Sequence, residues 1–496
     1  MMNNTVIPTT ETSRTSQRDG RDDIPMDVRL PQLSMILDTE AMRKTLWNGM
    51  FDSTSVRDRF LIRQCDIIQI RYKPTSSCMV SYRLNVENVE TGERGEQILC
   101  GRAFPDGRSL PQWEKASTRA LVQPRFGKPL IYLPEVEMVL WSFPNDRKMH
   151  TLPASSHAAF STSNIPPSWI LAHVGTGWQV ADTKSRVMHY VGEHTCTVQT
   201  SFELIHSSQE TRQTLTIFGK TYYNEEGAQT DLVMRQLWDS EARRSGRLGL
   251  ARPVWYDTRL KTLWQEGIQG TTLENHSIET PAGITLLKKA AHTVATFHTT
   301  PLSNIPSTPV LELLDKLEAV GSILMQCRPS CRPTLAPLRD RLRAQAKTII
   351  LGPTSTLHGD LHMKNLFLTH DSITLIDLDN VCQGHPGQDI GSFIAGLLTR
   401  ALAKQVPLSH MARPVHVFHQ HYSQWTPWEL DQPTLAWFTA MALVVERAHR
   451  CITRLKHNQR EHLEALLSLA DQISESLSLE SLADGLAETD VRSRQP

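Results

Sequence analysis

Hydrophobic and polar positions follow a strand-like period in two separate stretches of the chain and a helical period in a third. The first stretch contains DIIQIRYK, CMVSYRLNVE and EQILCGRAF, separated by the turn formers KPTSS and ETGERGE. Those runs are rich in β-branched and aromatic residues, which predicts antiparallel strands, and LIYLPEVEMVLWSFP predicts two more around a turn. The second stretch repeats this grammar with RVMHYVGE, CTVQTSFELI, LTIFGKTYYN, GLARPVWYD and RLKTLWQEG. The third reads as helices: PAGITLLKKAAHTVATFHTT opens on a proline and carries apolar residues at helical spacing, as do five later segments. Among those helices lies LFLTHDSITLID, two short strands and a turn.

The two strand-rich stretches look like copies of one unit. A shift of 118 puts Tyr72 on Tyr190, Cys78 on Cys196, Val80 on Val198, Gly101 on Gly219 and Arg102 on Lys220. Leu140-Trp141 match Leu263-Trp264 at a shift of 123. Matches in one order at nearly one spacing predict a repeated β-meander. The expected organisation is a disordered tail over 1–27, β-rich units over 28–158 and 159–273, a helical unit over 274–482 and a disordered tail over 483–496.

Composition changes this picture little. Acidic and basic residues number 52 each, so bulk charge gives no reason to expect nucleic-acid or anionic-membrane binding. No apolar run approaches the ~20 residues that span a bilayer, and the N-terminus has no signal-peptide core, so a cytoplasmic protein is expected. The eight cysteines are scattered, and only Cys327 and Cys331 lie close together, with no second pair at metal-ligand spacing. They are expected to be ordinary reduced thiols.

The chemistry concentrates in His358-Gly359-Asp360-Leu361-His362-Met363-Lys364-Asn365, followed by Leu375-Ile376-Asp377-Leu378-Asp379. Phosphoryl transfer needs a carboxylate to orient the acceptor hydroxyl and oxygen ligands to hold Mg²⁺ on nucleotide phosphates. Asp360 and Asn365 have the D-x-x-x-x-N spacing of a kinase catalytic loop, and Asp377 closes an apolar strand. An isolated HGD would be no more than a turn, but the joint pattern is far more specific.

These residues resemble the motif of aminoglycoside phosphotransferases and their relatives, such as the choline, fructosamine and homoserine kinases, over about 185–450. The resemblance implies an α+β, bilobal protein kinase-like fold, with a β-rich N-lobe and a helical C-lobe. Here an additional β-rich domain precedes it, a degenerate duplicate of the N-lobe. It implies Asp360 as catalytic base and Asn365 and Asp377 as metal ligands. Gly384-His385-Pro386-Gly387-Gln388-Asp389 resembles the family's Gly-Asp-Pro segment with His in place of Asp. Asp389 is then expected to brace the catalytic loop, with His358 as a buttress, while Asp379 is left between metal or substrate contact and loop capping.

Lys220 occupies the place of the phosphate-contacting lysine, and Asp231, Asp239 and Glu241 are the candidates for its acidic partner. Gln265, Glu266 and Gly267 are expected at an interlobe hinge that binds adenine. The glycine loop is reduced to Gly192 in YVGEHTC. The expected cofactors are ATP, with GTP left open, and Mg²⁺. The expected partner is a small-molecule acceptor of aminoglycoside, sugar or amino-alcohol type. A pseudokinase-like binding protein is the alternative, against which the intact Asp360, Asn365 and Asp377 count. No A-P-E stretch of a protein kinase follows Asp377.

Overall fold

The structure is a computed structural model that describes residues 24–479 apart from 52, 157–173, 209–210, 350–351, 371 and 456–460. Most of both expected tails, and the expected boundary at 158, fall outside the described residues. The last residues of the first tail are inside: Asp27 is buried, accepting from Tyr72 Oη and Thr75 N at 2.7 Å each.

The strand predictions give two five-stranded antiparallel sheets of one topology, but not the expected meander: in each, the last strand in chain order lies between the third and the fourth. In the first, β1 (Phe60–Lys73), β2 (Ser77–Asn88), β3 (Arg94–Ala103), β4 (Leu130–Leu133) and β5 (Met138–Ser142) lie in the order β1-β2-β3-β5-β4. In the second, β6 (Trp178–Val191), β7 (Thr195–His206), β8 (Arg212–Tyr222), β10 (Pro253–Asp257) and β11 (Thr262–Glu266) lie in the order β6-β7-β8-β11-β10. Alternation along the strands sets the faces. Cys78, Val80, Tyr82, Leu84 and Val86 of β2 pack, with Met42, Leu46 and Met50 of the helix Thr39–Met50, into the main core.

Local detail recurs as well as strand order. Asp146 accepts from Tyr190 Oη at 2.7 Å and Glu193 N at 2.9 Å, the contacts that Asp27 makes with Tyr72 and Thr75. Thr75 and Glu193 both sit in the left-handed region, at φ 58° and 60°. Short helices follow the two aspartates at Leu33–Ile36 and Leu152–Ser155. One alignment read from the sequence is out of register. Gly101 pairs with Leu140 and Gly219 with Trp264, so Leu140 matches Trp264 at a shift of 124, and the tryptophan identity at 123 is coincidental.

The sheets meet through a small core of Met79 and Cys100 from the first, Tyr190, Cys196 and Val198 from the second, and Met149 and Leu152 between them. The β6–β7 turn lies on the first sheet: a Cβ on Gly192 would stand 2.2 Å from Cys100 Sγ, so no larger residue fits. The next residue, Glu193, is buried and accepts from Arg102 Nε and Nη2 at 2.8 and 2.7 Å and from Arg147 Nη1 at 3.0 Å. Burial would raise its carboxyl, but the two guanidiniums hold it below the usual range.

The helical part packs Pro281–His298, Gly387–Ala403 and Gln432–Ala442 around a continuous core. Gln432–Ala442 continues through a π-helical segment, Leu443–Ala448, into His449–Thr453, which packs against β1 of the first sheet. Two small sheets complete the fold. One contains β9 (Gly249–Leu250), β12 (Thr271–Thr272), β15 (Leu366–Thr369) and β16 (Ser372–Leu375). The other contains β13 (Ser307–Thr308), β14 (Ser355–Leu357) and β17 (Cys382–Gly384). Arg341 binds Asp471, Ser474 and Glu475 of the helix Leu463–Ser476. The eight cysteines are unpaired, and no helix among the described residues is long and apolar enough to cross a membrane.

Breaking a buried ion pair on one side leaves an uncompensated charge. Glu193→Gln is therefore expected to lower unfolding stability by about 3 kcal/mol in urea titrations. The double variant Arg102→Met/Glu193→Leu should recover at least part of that loss. Equal losses in both variants would show that an uncompensated charge is not the source of the cost.

Candidate active site

The predicted residues converge on one cleft between the second sheet and the helical part. It has a volume of about 660 Å³ and is lined by Lys220, Gln265, Glu266, Asp360, Asn365, Asp377 and Asp379, with Arg71 from the first sheet.

The loop carrying Asp360 is hung on Asp389. This carboxylate accepts from His358 N at 2.6 Å and Gly359 N at 3.0 Å, and lies 3.0 Å from His298 Nε2. His298 Nδ1 is in turn 2.8 Å from Tyr422 Oη. Gly359 has φ 77°, and a Cβ there would stand 2.1 Å from Asn380 O, which restricts the position to glycine. His358 Nε2 lies 2.9 Å from Ile376 O, tying the loop to the end of β16. Asn365 donates to Asp360 O at 3.0 Å, so its Oδ1 has no hydrogen-bond partner among the described residues.

Burial alone would raise the Asp360 carboxyl. His362, whose Nε2 lies 3.6 Å from Oδ2, and the charges of Arg450 and His358 overcome this and hold it at about 2. Arg450 Nη2 lies 3.8 Å from Asp360 Oδ1. The group is a carboxylate at neutral pH and can accept a hydrogen bond from a hydroxyl group.

β16 ends at Leu375, and Asp377 follows in the left-handed region at φ 62°, a conformation that Asp tolerates better than most residues. A 3₁₀ turn over Leu378–Asn380 then brings Asp379 to the same side. The two acids are therefore aligned by a turn rather than by continued strand alternation. Lys220 Nζ bridges them, 2.6 Å from Asp377 Oδ1 and 2.6 Å from Asp379 Oδ2. Burial would lower the lysine, but Asp379 and Asp377 together raise it above its ordinary value. Asp379 also accepts from Tyr222 Oη at 2.7 Å and Thr230 Oγ1 at 3.2 Å.

Two expectations need correction. None of Asp231, Asp239 and Glu241 partners Lys220. The helix Glu226–Trp238 turns Thr230 toward the site and packs Gly227 against the Tyr222 and Tyr256 rings, Asp231 pairs with Arg235, and Glu241 pairs with Arg247 outside that helix. Among the three hinge residues, Gly267 does not line the cleft. Its N–H is committed to Thr216 O at 2.9 Å, and Ile268 lines the wall instead. Sequence reasoning also missed Arg71, His189, Arg450 and Tyr222.

His385 sits where the family pattern has an acid. It is buried, stacks on Phe438 at 4.6 Å, and accepts Gly387 N–H through Nδ1 at 3.0 Å, at the start of the helix Gly387–Ala403. Among the described residues no group of three or more His, Cys, Asp or Glu side chains forms a metal cage.

With this geometry in view, comparison with known proteins is informative for part of the chain. Residues 214–407, from β8 to the end of the helix Gly387–Ala403, match the model of the phosphotransferase enzyme family, APH. The resemblance read from the HGD and IDLD motifs is thus matched by a family model over that segment, which is less than half of the chain. Three solved structures are similar at low identity. They are an aminoglycoside phosphotransferase from Streptomyces rimosus, a choline/ethanolamine kinase family protein from Mesorhizobium loti, and a choline kinase from Cryptosporidium parvum. The first is 14% identical, covers 55% of this chain and 95% of its own, and has a TM-score of 0.34. The second and third are each 12% identical with TM-scores of 0.42, covering 60% and 67% of this chain and 92% and 97% of theirs. No curated protein matches the chain.

Burial pushes the His385 imidazole down to about 4 from an ordinary 6.5. The unfolded chain therefore binds the extra proton first, and stability falls as pH drops from 6.5 toward 4. The loss should be on the order of 3 kcal/mol over that window. His385→Asn, which retains an acceptor but does not titrate, should flatten the fall in melting temperature between pH 7 and 4. An unchanged slope would refute this assignment.

Proposed function

We propose that the chain is an ATP- and Mg²⁺-dependent phosphotransferase that phosphorylates a hydroxyl group of a small molecule. The observation that carries this is the convergence of Lys220, Asp360, Asn365 and Asp377, from two separate parts of the fold, on one cleft. The donor set fits Mg²⁺: Asp377 supplies carboxylate oxygens and Asn365 an amide oxygen. Mg²⁺ is ordinarily held by one or two carboxylates plus nucleotide phosphates rather than by a protein cage.

In this reading Asp360 accepts the hydroxyl proton as the acceptor oxygen bonds to the γ-phosphorus and the bridge to the β-phosphate breaks. Lys220 supports the phosphates, and Asp379, held by Tyr222 and Thr230, keeps the lysine in the cleft. Asn365 and Asp377 would hold the metal, whose charge offsets that developing on the phosphate oxygens. Gln265, Glu266 and Ile268 form the wall for the base. The acceptor belongs to the small alcohols, of which aminoglycosides, sugars and amino alcohols are the classes the family resemblance raises.

We further infer that residues 28–158 are a degenerate copy of the second sheet. Shared strand order and the repeated Asp–Tyr contact support this. Arg102 stands where that sheet has Lys220, and Glu193 occupies it, so this copy contributes walls and packing rather than a second site.

Thermal shift with ATP or GTP tests the reading. Mg²⁺-dependent stabilisation of ~2.7 kcal/mol is expected at a hundredfold excess over the dissociation constant. Asp377→Ala should weaken it, whereas Asp360→Asn should retain binding and lose about 10²–10⁴-fold in transfer rate. No shift with either nucleotide would eliminate the kinase reading.

A further inference from the structure

The side of the cleft beyond Asp360 carries more positive charge than its fold requires. Arg450 and Arg454 lie one turn apart at the end of the segment that runs through the π helix, where like charges at this spacing repel. Arg71 projects from β1, against which that segment packs, and lines the same cleft as Asp360. Arg71 and Arg454 are half-buried, and neither makes an ion pair with a described residue. Arg71 Nε is fully buried without a hydrogen-bond partner. The two guanidiniums lie within electrostatic reach of each other, as do Arg454 and Arg450.

The nearby acids are already engaged. Glu193 serves Arg102 and Arg147, Glu446 serves Ser392 and Arg447, and Asp377 and Asp379 serve Lys220. Asp360 faces the array through Arg450 at 3.8 Å. His362 and His449 add no negative charge.

Burying guanidiniums beside one another without counter-ions is unfavourable unless something else compensates. Burial and the neighbouring arginines depress the basicity of both Arg71 and Arg454, which is the electrostatic signature of that cost. Guanidinium forks match phosphate and carboxylate oxygens, and they repel ammonium groups.

Building on the phosphotransferase reading, we propose that Arg71, Arg450 and Arg454 bind an anionic group, phosphate or carboxylate, on the acceptor. The alcohol phosphorylated is then a small acid rather than an aminoglycoside or a choline-like cation. Arg71 makes the first sheet part of the acceptor site, which gives that sheet a role in selecting the substrate.

The test is calorimetric titration of the full chain saturated with Mg²⁺ and the non-hydrolysable analogue AMP-PNP, so that the nucleotide's own phosphates are accounted for. Inorganic phosphate, acetate and kanamycin are titrated separately, and the first two distinguish phosphate from carboxylate recognition. Binding of phosphate or acetate is expected, with no binding of kanamycin. Arg454→Gln should weaken anion binding by about tenfold, the loss of one charge-assisted contact, and leave AMP-PNP affinity unchanged. Kanamycin binding, no anion binding, or a variant that loses AMP-PNP instead of the anion would each overturn the proposal. Failure of the wild type to bind AMP-PNP would instead remove the phosphotransferase reading, and this proposal with it.

Discussion

A carboxylate removed from water must be met by donors, and Asp389, at 2% exposure, is met by three. Two are backbone N–H groups of the loop that presents Asp360, and the third is His298, itself fixed by Tyr422. The loop cannot shift without stranding a buried charge, and that is what makes the position of Asp360 reproducible. Its other side is fixed by His358 on Ile376 O and by Asn365 on Asp360 O. These bonds place the acid that ends the loop and the acid that follows β16 in one frame.

The second sheet joins that frame through side chains rather than backbone. Lys220 lies between Asp377 and Asp379, and Tyr222 and Thr230 hold Asp379 from the same side. The helix after β8 contributes a hydroxyl where an acid was expected, and the acid is supplied from the helical part of the fold. One consequence is that the lysine's setting depends on the relation between the two parts and not on either alone.

What the sequence disclosed follows the range of its signals. Strand alternation and the spacing of Asp360, Asn365 and Asp377 are local patterns, and each was readable from a short window; the strand order was not, because which strand pairs with β3 or β8 is a long-range choice. Arg71 was not, because its relevance depends on β1 packing against a segment some 380 positions later. Arg450 and Arg454 were hidden inside a run whose apolar spacing spoke only of a buried helix. The partner of Lys220 was misplaced for a related reason: Asp231 lies one position past the face that Gly227 and Thr230 turn inward. The tryptophan match failed by a single residue because identity in sequence carries no information about register, which the pairing of Gly219 with Trp264 decides.

The turn between β6 and β7 has an implication for what counts as one folding unit. Gly192 and Glu193 lie against the first sheet, and Tyr190, Cys196 and Val198 complete an apolar layer with Met79 and Cys100. The family match begins at β8, well after that layer, yet β8 belongs to a sheet whose opposite strands are clamped by residues from the chain's first third. The packed core therefore extends beyond the segment that the family model matches. Cutting the polypeptide at residue 214 would divide a sheet, not a linker.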